Sequence, residues 1–138
     1  MKKKKEIRKK GNVFINQYGA FEFLKTTIPN LFSANSKSKI KNSIASFIES
    51  LSNFSPAALI TYYEAMMSRP DRTSVLKSSN IPVLFVAGEH DNAVPLADSL
   101  KQSYMPDICH FHILKNSGHM GMMEEPEKLN MILGKFLS

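Results

Sequence analysis

An aspartate and a histidine in the second half of the chain have the side-chain types that acid–base catalysis uses. Asp91 lies in the segment GEHDNAVP, residues 88–95, and His119 lies in NSGHM, residues 116–120. Imidazole groups titrate near neutral pH, so a histidine can take a proton from a hydroxyl nucleophile and return it to a leaving group. A carboxylate on the other ring nitrogen fixes the tautomer and stabilises the imidazolium. We therefore expect His119 to act as a general base and Asp91 to orient it.

Both residues follow apolar segments that predict β-strands. The run IPVLFVA, residues 81–87, is rich in β-branched side chains and ends at Gly88, a pattern typical of a strand buried on both faces of a parallel sheet. A second strand is predicted over 108–114, and apolar residues at every fourth position predict a helix over 95–104 between the two strands.

A final amphipathic helix completes the pattern. Pro126 suits its first position, and three glutamates place negative charge near its first turn. The order strand, helix, strand, helix indicates a βαβα unit of a doubly wound sheet. Two strands are too few to pair and cover a fully apolar parallel strand, so the neighbouring strands are expected from another copy of the chain or from a complementary N-terminal half. The three glutamates near the first turn of the final helix are Glu124, Glu125 and Glu127, and the apolar stripe of that helix is Leu129, Ile132, Leu133, Phe136 and Leu137.

The turns that carry Asp91 and His119 resemble the acid and histidine turns of the α/β-hydrolase fold. In that family the acid follows a strand as GxxD, here Gly88 to Asp91, and the histidine follows the last strand as GH, here Gly118 and His119. The chain has no GxSxG elbow, which the family's chain order places before the acid.

The resemblance implies the C-terminal part of an α/β hydrolase. Such a protein hydrolyses an ester, amide or related bond through a Ser-His-Asp triad, of which only Asp91 and His119 are in this chain. The isolated chain is then expected to be inactive. The alternative is a noncatalytic fragment or interaction module that completes its sheet with another chain.

Residues 1–78 are predicted to be helical throughout, and the resemblance implies that they form a lid, or cap, before the βαβα core at 79–138. Ser55 and Pro56 are typical of an N-cap and a first helical position. The predicted helices are a segment ending at Tyr18, Ala20 to Thr27, 37–53, and a helix from Pro56 that ends before Pro70.

Several methionines could serve either an apolar pocket or core packing. Met120, Met122 and Met123 follow the histidine, and Met66 and Met67 lie on a predicted helix. Flexible thioethers suit a pocket for a small apolar acyl or alkyl substrate, although packing is their commoner use at helical spacing.

The net charge of +6 lies in one short segment. Residues 1–10 contain seven Lys or Arg residues and one Glu, so they account for the whole excess. A nucleic-acid surface usually spreads basic residues among aromatics, a pattern that is not found here. We expect neither nucleic acid nor membrane as a partner, and interpret the segment as the solvated start of a helix whose apolar stripe contains Ile7, Phe14 and Tyr18.

Composition predicts a soluble globular domain. Apolar residues make up 43% of the chain, but the longest uninterrupted apolar run is far shorter than the roughly 20 residues of a membrane-spanning helix. The basic start is not followed by the apolar stretch of a secretory signal, and Cys109 is the only cysteine. A cytoplasmic location is expected.

The remaining reactive side chains have less specific interpretations. His110 and His112 share one face of the second strand, but two imidazoles without a third ligand are more typical of the polar side of an edge strand, so neither a metal nor a cofactor is expected. His90 is interpreted as a loop neighbour of Asp91, and Cys109 as a strand residue without catalytic function. An Asp91 that only caps a turn, with His119 as an ordinary loop histidine, also remains open.

Overall fold

The two apolar segments form neighbouring parallel strands in the computed structural model, which describes the backbone of residues 2–138 and the side chains of residues 4–138. Strand β1, Val83–Gly88, pairs with strand β2, Cys109–Leu114, and the register places Val83 opposite Cys109 and Gly88 opposite Leu114. The carboxyl ends of both strands therefore lie side by side, and the two candidate residues follow them there.

Helices connect and follow the strands as the βαβα pattern predicts. Helix α7, Leu96–Ser103, crosses between β1 and β2, and a short helix α8, Gly121–Glu124, precedes the last helix α9, Pro126–Leu137. Pro126 begins α9 as predicted, because a first-turn residue needs no amide hydrogen bond. Helix α8 was not predicted.

The prediction that β1 is buried on both faces is wrong for this chain. Residues Val83 to Val86 are only half-buried, whereas Ala87 and Gly88 are buried. Among the described residues, β1 pairs with β2 alone, so one of its edges has no neighbouring strand to cover the flanking side chains.

The residues before β1 are helical, as predicted. Ser55 caps its helix through a bond that Ala58 N–H donates to Ser55 Oγ over 3.3 Å, which confirms the predicted start. The elements are α1 at Lys2–Tyr18, α2 at Ala20–Thr27, a 3₁₀ turn at Ile28–Leu31, α3 at Ala34–Lys39, α4 at Lys41–Ser50, α5 at Pro56–Ser68 and α6 at Thr73–Lys77.

The single helix predicted over 37–53 is wrong. Ser33 caps an earlier helix by accepting a hydrogen bond from Ser36 N–H, so α3 begins at Ala34. The backbone then leaves the helical region at Ile40, with φ −116° and ψ 33°, and α4 begins at the next residue.

The chain folds into two compact units. One contains residues up to Pro29 together with Asn42–Pro70, and the other contains Asn30–Lys41 together with Asp71–Ser138. The two units are defined by which residues pack together, and this does not test whether residues 1–78 act as a lid. The lid function stays a prediction. No helix within residues 2–138 is long and apolar enough to cross a membrane.

The core of the first unit corrects the predicted stripe of α1. Ile7 and Tyr18 are 59% and 54% exposed, whereas Ile15 is 1% exposed. A Cβ at Gly11 would lie 3.0 Å from Tyr63 Cε2, so the lack of a side chain there lets α1 pack closely through its Gly11 and Ile15 face. The buried cluster is Ile15, Ala20, Phe23 and Leu59.

The stripe predicted for α9 is also only partly buried. Ile132 is 5% exposed, but Leu133 and Leu137 are 39% and 79% exposed. The described part of the sheet has two strands, and this narrow surface covers only one side of the helix.

Candidate active site

The turn after β1 holds the Asp91 carboxylate from two sides. Its Oδ1 atom accepts hydrogen bonds from Ala93 N–H and Val94 N–H, both at 2.8 Å. The side chain is only 9% exposed. These bonds fix the carboxylate and leave Oδ2 free to face the turn that follows β2.

His119 occupies that position. Its Nδ1 atom lies 2.8 Å from Asp91 Oδ2, although 28 residues separate the two in sequence. An ionised carboxylate only accepts hydrogen bonds, so Nδ1 carries the proton and Nε2 has the free lone pair in the neutral ring. The side chain is 41% exposed, and no described residue hydrogen-bonds Nε2. The structure thus brings the two predicted residues together and leaves the imidazole side chain partly exposed.

Backbone contacts join the two turns. His90 N–H donates to Ser117 O over 3.0 Å, and Glu89 N–H donates to Leu114 O over 3.0 Å. A Cβ at Gly88 would lie 2.7 Å from Ser117 O and nearer still to Gly118 O. Only glycine permits this close approach of main chain to main chain, which explains the glycine of the GxxD pattern.

Gly118 is similarly enclosed on its other side. A Cβ there would lie 2.6 Å from Leu31 O and 2.9 Å from Ser33 N. His119 N–H donates to the same Leu31 carbonyl over 2.7 Å. The glycine before the histidine therefore lets residues 31–33 pack directly on the turn.

Two glutamates, expected to act on the N-terminus of the last helix, instead bind this turn. Glu124 Oε1 accepts from Gly118 N–H at 2.8 Å and from Met120 N–H at 3.1 Å. Glu125 Oε2 accepts from Asn116 N–H at 2.9 Å and from Ser117 Oγ at 2.7 Å. The sequence shows glutamates near the start of the last helix. It does not distinguish a glutamate that caps the helix from one that binds a neighbouring loop.

The environment of Glu125 favours its ionised form. Burial raises the pKa of this carboxyl, but the hydrogen bonds from Ser117 and Asn116 and the positive charge of Lys128 together outweigh it, so the pKa lies below its ordinary value. The histidine turn is therefore anchored by a carboxylate that stays charged at neutral pH.

Comparison with protein-family models gives a match over residues 5–138, nearly the whole chain, to the model described as the Ndr family. The chain belongs to the Ndr family. Among curated proteins, the Ndr-family chain is 35% identical over 68 residues to the proline iminopeptidase of Heyndrickxia coagulans, which covers 49% of this chain and 23% of that protein. It is 33% identical over 57 residues to protein ABHD8 of Mus musculus, covering 41% of this chain and 13% of that protein.

Solved structures establish the fold. A thermophilic esterase from Thermogutta terrifontis superposes with a TM-score of 0.87 at 21% identity, covering 98% of this chain and 50% of the esterase. The enol-lactonase from Burkholderia xenovorans gives a TM-score of 0.86 at 17% identity, covering 96% and 50%. The Ndr-family chain thus has the fold of the C-terminal part of an α/β hydrolase, as predicted, and spans about half the length of these structures.

A cavity of about 260 Å³ borders the Asp91 and His119 pair. Aliphatic side chains dominate its wall, and of the methionines that follow the histidine, Met122 contributes to it. The lining residues are Val86, Ala87, Gly88, Asp91, Val94, Ser99, Leu114, Gly118, His119, Gly121, Met122 and Leu129.

The other reactive side chains of the Ndr-family chain have contacts that do not include Asp91 or His119. His110 and His112 are exposed on β2, and the His110 ring packs edge-on to Phe136 with centroids 5.5 Å apart. Cys109 is half-buried in the same strand. Within the part of the chain that the structure describes, no group of three or more potential metal ligands occurs.

Proposed function

We propose that Asp91 and His119 are the orienting acid and the general base of a Ser-His-Asp triad that hydrolyses an ester, amide or related carbonyl bond. The observation that carries the proposal is the 2.8 Å bond between His119 Nδ1 and Asp91 Oδ2, in a histidine side chain that is 41% exposed. The nucleophile belongs to the part of an α/β-hydrolase core that precedes the acid strand, which these 138 residues do not contain.

Each proton in the proposed reaction has a defined path. His119 Nε2 takes the proton of the serine hydroxyl as its oxygen bonds to the substrate carbonyl carbon, and Asp91 stabilises the imidazolium that forms. Nε2 then returns the proton to the leaving oxygen or nitrogen as its bond to the carbonyl carbon breaks. Water repeats the cycle on the acyl-enzyme and regenerates the serine.

The cavity beside the pair supports a substrate with a small apolar acyl or alkyl group. Its volume of about 260 Å³ is near the lower limit of typical ligand pockets. Val86, Val94 and Met122 offer an apolar wall, and the flexible thioether can adapt to different groups.

The 138 residues alone should not turn over activated esters. Without a nucleophile no acyl intermediate forms, and without an oxyanion hole the developing charge is not stabilised. Turnover by this chain that His119→Ala abolishes would contradict this expectation.

The direct test uses whichever polypeptide carries these residues in its source cells. The protein is captured with an antibody against the sequence, and is assayed for p-nitrophenyl acetate hydrolysis and for covalent labelling by a fluorophosphonate probe. Genomic His119→Ala should abolish turnover, whereas His90→Ala, which changes an exposed histidine one residue from the acid, should leave it unchanged. A captured protein with neither labelling nor His119-dependent turnover would overturn the proposal.

A second candidate function is a noncatalytic interaction module, and the half-buried outer side chains of β1 favour it. Val83 to Val86 are apolar, and within the described residues β1 pairs along one edge only. A second copy of the chain or a separate N-terminal half would supply the next strand. Light scattering at micromolar concentration tests whether a second copy supplies this strand, since a monomeric chain would count against self-association.

A further inference from the structure

One carboxylate holds the backbone on both sides of the candidate base. Glu124 Oε1 accepts hydrogen bonds from Gly118 N–H and Met120 N–H, at 2.8 and 3.1 Å, and these residues flank His119. The His119 amide is bound as well, because it donates to Leu31 O over 2.7 Å. Three consecutive amides of an irregular turn are therefore all satisfied by fixed acceptors.

The other oxygen of Glu124 links the turn to the segment that supplies this carbonyl. Ser33 N–H donates to Glu124 Oε2 over 2.8 Å, and Ser33 Oγ donates to Asn116 O over 2.7 Å. Ser33 is only 2% exposed, so these bonds lie where water competes weakly. A single side chain thus connects residues 31–33, the histidine turn and helix α8.

The position of Glu124 in its helix explains this reach. Met120 is the N-cap of α8, and Glu124 is the last residue of that short helix. Glu124 N–H donates to Met120 O over 3.0 Å while its carboxylate accepts from Met120 N–H, a reciprocal pair similar to a capping box but one position later. The backbone of Glu124 closes the first turn of α8 on Met120, and this places its carboxylate within hydrogen-bond distance of the Met120 amide.

We infer that Glu124 is a positioning residue for His119, an inference that rests on the proposed function. The imidazole is 41% exposed, and the bond to Asp91 is its one described side-chain hydrogen bond. A hydrogen bond of 2.8 Å tolerates only a few tenths of an ångström of displacement, so the backbone of the turn must hold the ring near Asp91. Glu124 keeps Nδ1 on the acid and Nε2 directed toward the nucleophile.

The test reads the tautomer of His119 directly and does not require turnover. Long-range ¹H–¹⁵N spectra of the uniformly labelled 138-residue chain distinguish an Nδ1-protonated ring from the Nε2-protonated form that free histidine prefers. The chain has four histidines, and His119→Ala assigns the signal. Wild type should show the Nδ1-protonated form, and Glu124→Ala should shift His119 toward the Nε2-protonated form.

Two further variants separate positioning from general stability. Glu124→Gln keeps one acceptor oxygen for Gly118 and Met120 but places an amide group opposite Ser33 N–H, so it should retain most of the wild-type tautomer even if the fold is weakened. Glu127→Ala removes an exposed glutamate from the first turn of α9 and should leave the His119 signal unchanged. If Glu124→Ala does not fold, the inference requires that Glu124→Gln loses the Ser33 link and still keeps the tautomer.

The outcomes separate this inference from the proposed function. In the source-cell protein, Glu124→Ala should lower kcat by up to about 100-fold with little change in KM, the size of effect that a misplacement of about 1 Å can produce. Absence of His119-dependent turnover would defeat the proposed function, while the tautomer would still decide the function of Glu124. A folded Glu124→Ala chain with the wild-type His119 tautomer, or Glu124→Gln as disruptive to it as alanine, would overturn the inference.

Discussion

Replacing Gly118 with alanine should separate the histidine turn from the segment that packs on it. The added Cβ would lie 2.6 Å from Leu31 O, and ordinary van der Waals contact begins at 3.4 Å, so one of the two segments must move by about 0.8 Å. The φ angle of Gly118 is not in the left-handed region, so the cost comes from the collision and not from backbone strain.

Such a movement weakens two hydrogen bonds. The bond from His119 N–H to Leu31 O would lengthen from 2.7 Å to about 3.5 Å, the limit of a hydrogen bond, and the bond from Ser33 N–H to Glu124 would be displaced with it. Each bond contributes about 0.5–1.5 kcal/mol, and forcing extra volume into a packed site costs about 1–3 kcal/mol. We expect Gly118→Ala to lower the free energy of unfolding by about 2–6 kcal/mol.

Urea unfolding followed by far-UV circular dichroism measures this loss. Gly134→Ala is the matched control, because a Cβ at this position in α9 meets nothing within 4 Å. Alanine in a helix is favoured over glycine, so the control should be stabilised by about 0.5–1 kcal/mol. A Gly118→Ala chain within about 0.5 kcal/mol of wild type, with the His119 tautomer intact, would refute the steric argument.

Three other predictions test separate parts of the structure. Asp91→Asn places an amide opposite Nδ1, so His119 should lose the Nδ1-protonated form in ¹⁵N spectra and turnover of the source-cell protein should fall about 10⁴-fold; an unchanged tautomer would contradict the assigned bond. The pKa of Glu125 is lowered on folding, so its stabilisation is present above the unfolded-state pKa and is lost as the pH falls through the folded-state pKa. Wild type should therefore lose more stability than Glu125→Gln when the urea midpoint is measured from pH 6 down to pH 3, and parallel curves would count against this. Ile15→Ala should cost about 2–5 kcal/mol, because Ile15 is 1% exposed, whereas Ile7→Ala at a 59% exposed position should change the unfolding free energy by less than about 0.5 kcal/mol.

The strands, their order and the Asp91 and His119 pairing could be predicted because local patterns determine them. A continuous apolar run ending at Gly88 indicates a strand of a parallel sheet, and adjacent parallel strands have their carboxyl ends on the same side of the sheet, which brings the residues after them together. Only the proximity follows from this argument; the catalytic functions of the two residues stay predictions.

Other features could not be predicted because their causes are not visible in hydrophobic periodicity. The buried face of α1 is centred on Gly11. Glycine has no side chain and so does not contribute to a hydrophobic pattern, which is why the pattern favoured the face of Ile7 and Tyr18 although both residues are exposed. The break at Ile40 depends on Ser33 starting a separate helix, although the residues from Ile40 onward keep helical spacing. The partners of Glu124 are 4 to 91 residues away in sequence, so only the folded structure identifies them.

The compact unit that contains Asp91 and His119 is built from two separate segments of the sequence. This limits how the two residues can be moved into another protein. Residues 30–41 pack with the strands, although helical segments of the other unit flank them on both sides in sequence. A truncation that starts at Asp71 would keep Asp91 and His119 but would discard the Leu31 carbonyl and the hydrogen bonds that Ser33 makes to Glu124 and Asn116. The C-terminal segment alone therefore cannot carry the arrangement of Asp91 and His119, and a chimaera that grafts the two residues onto another protein of this fold must include residues 30–41 as well.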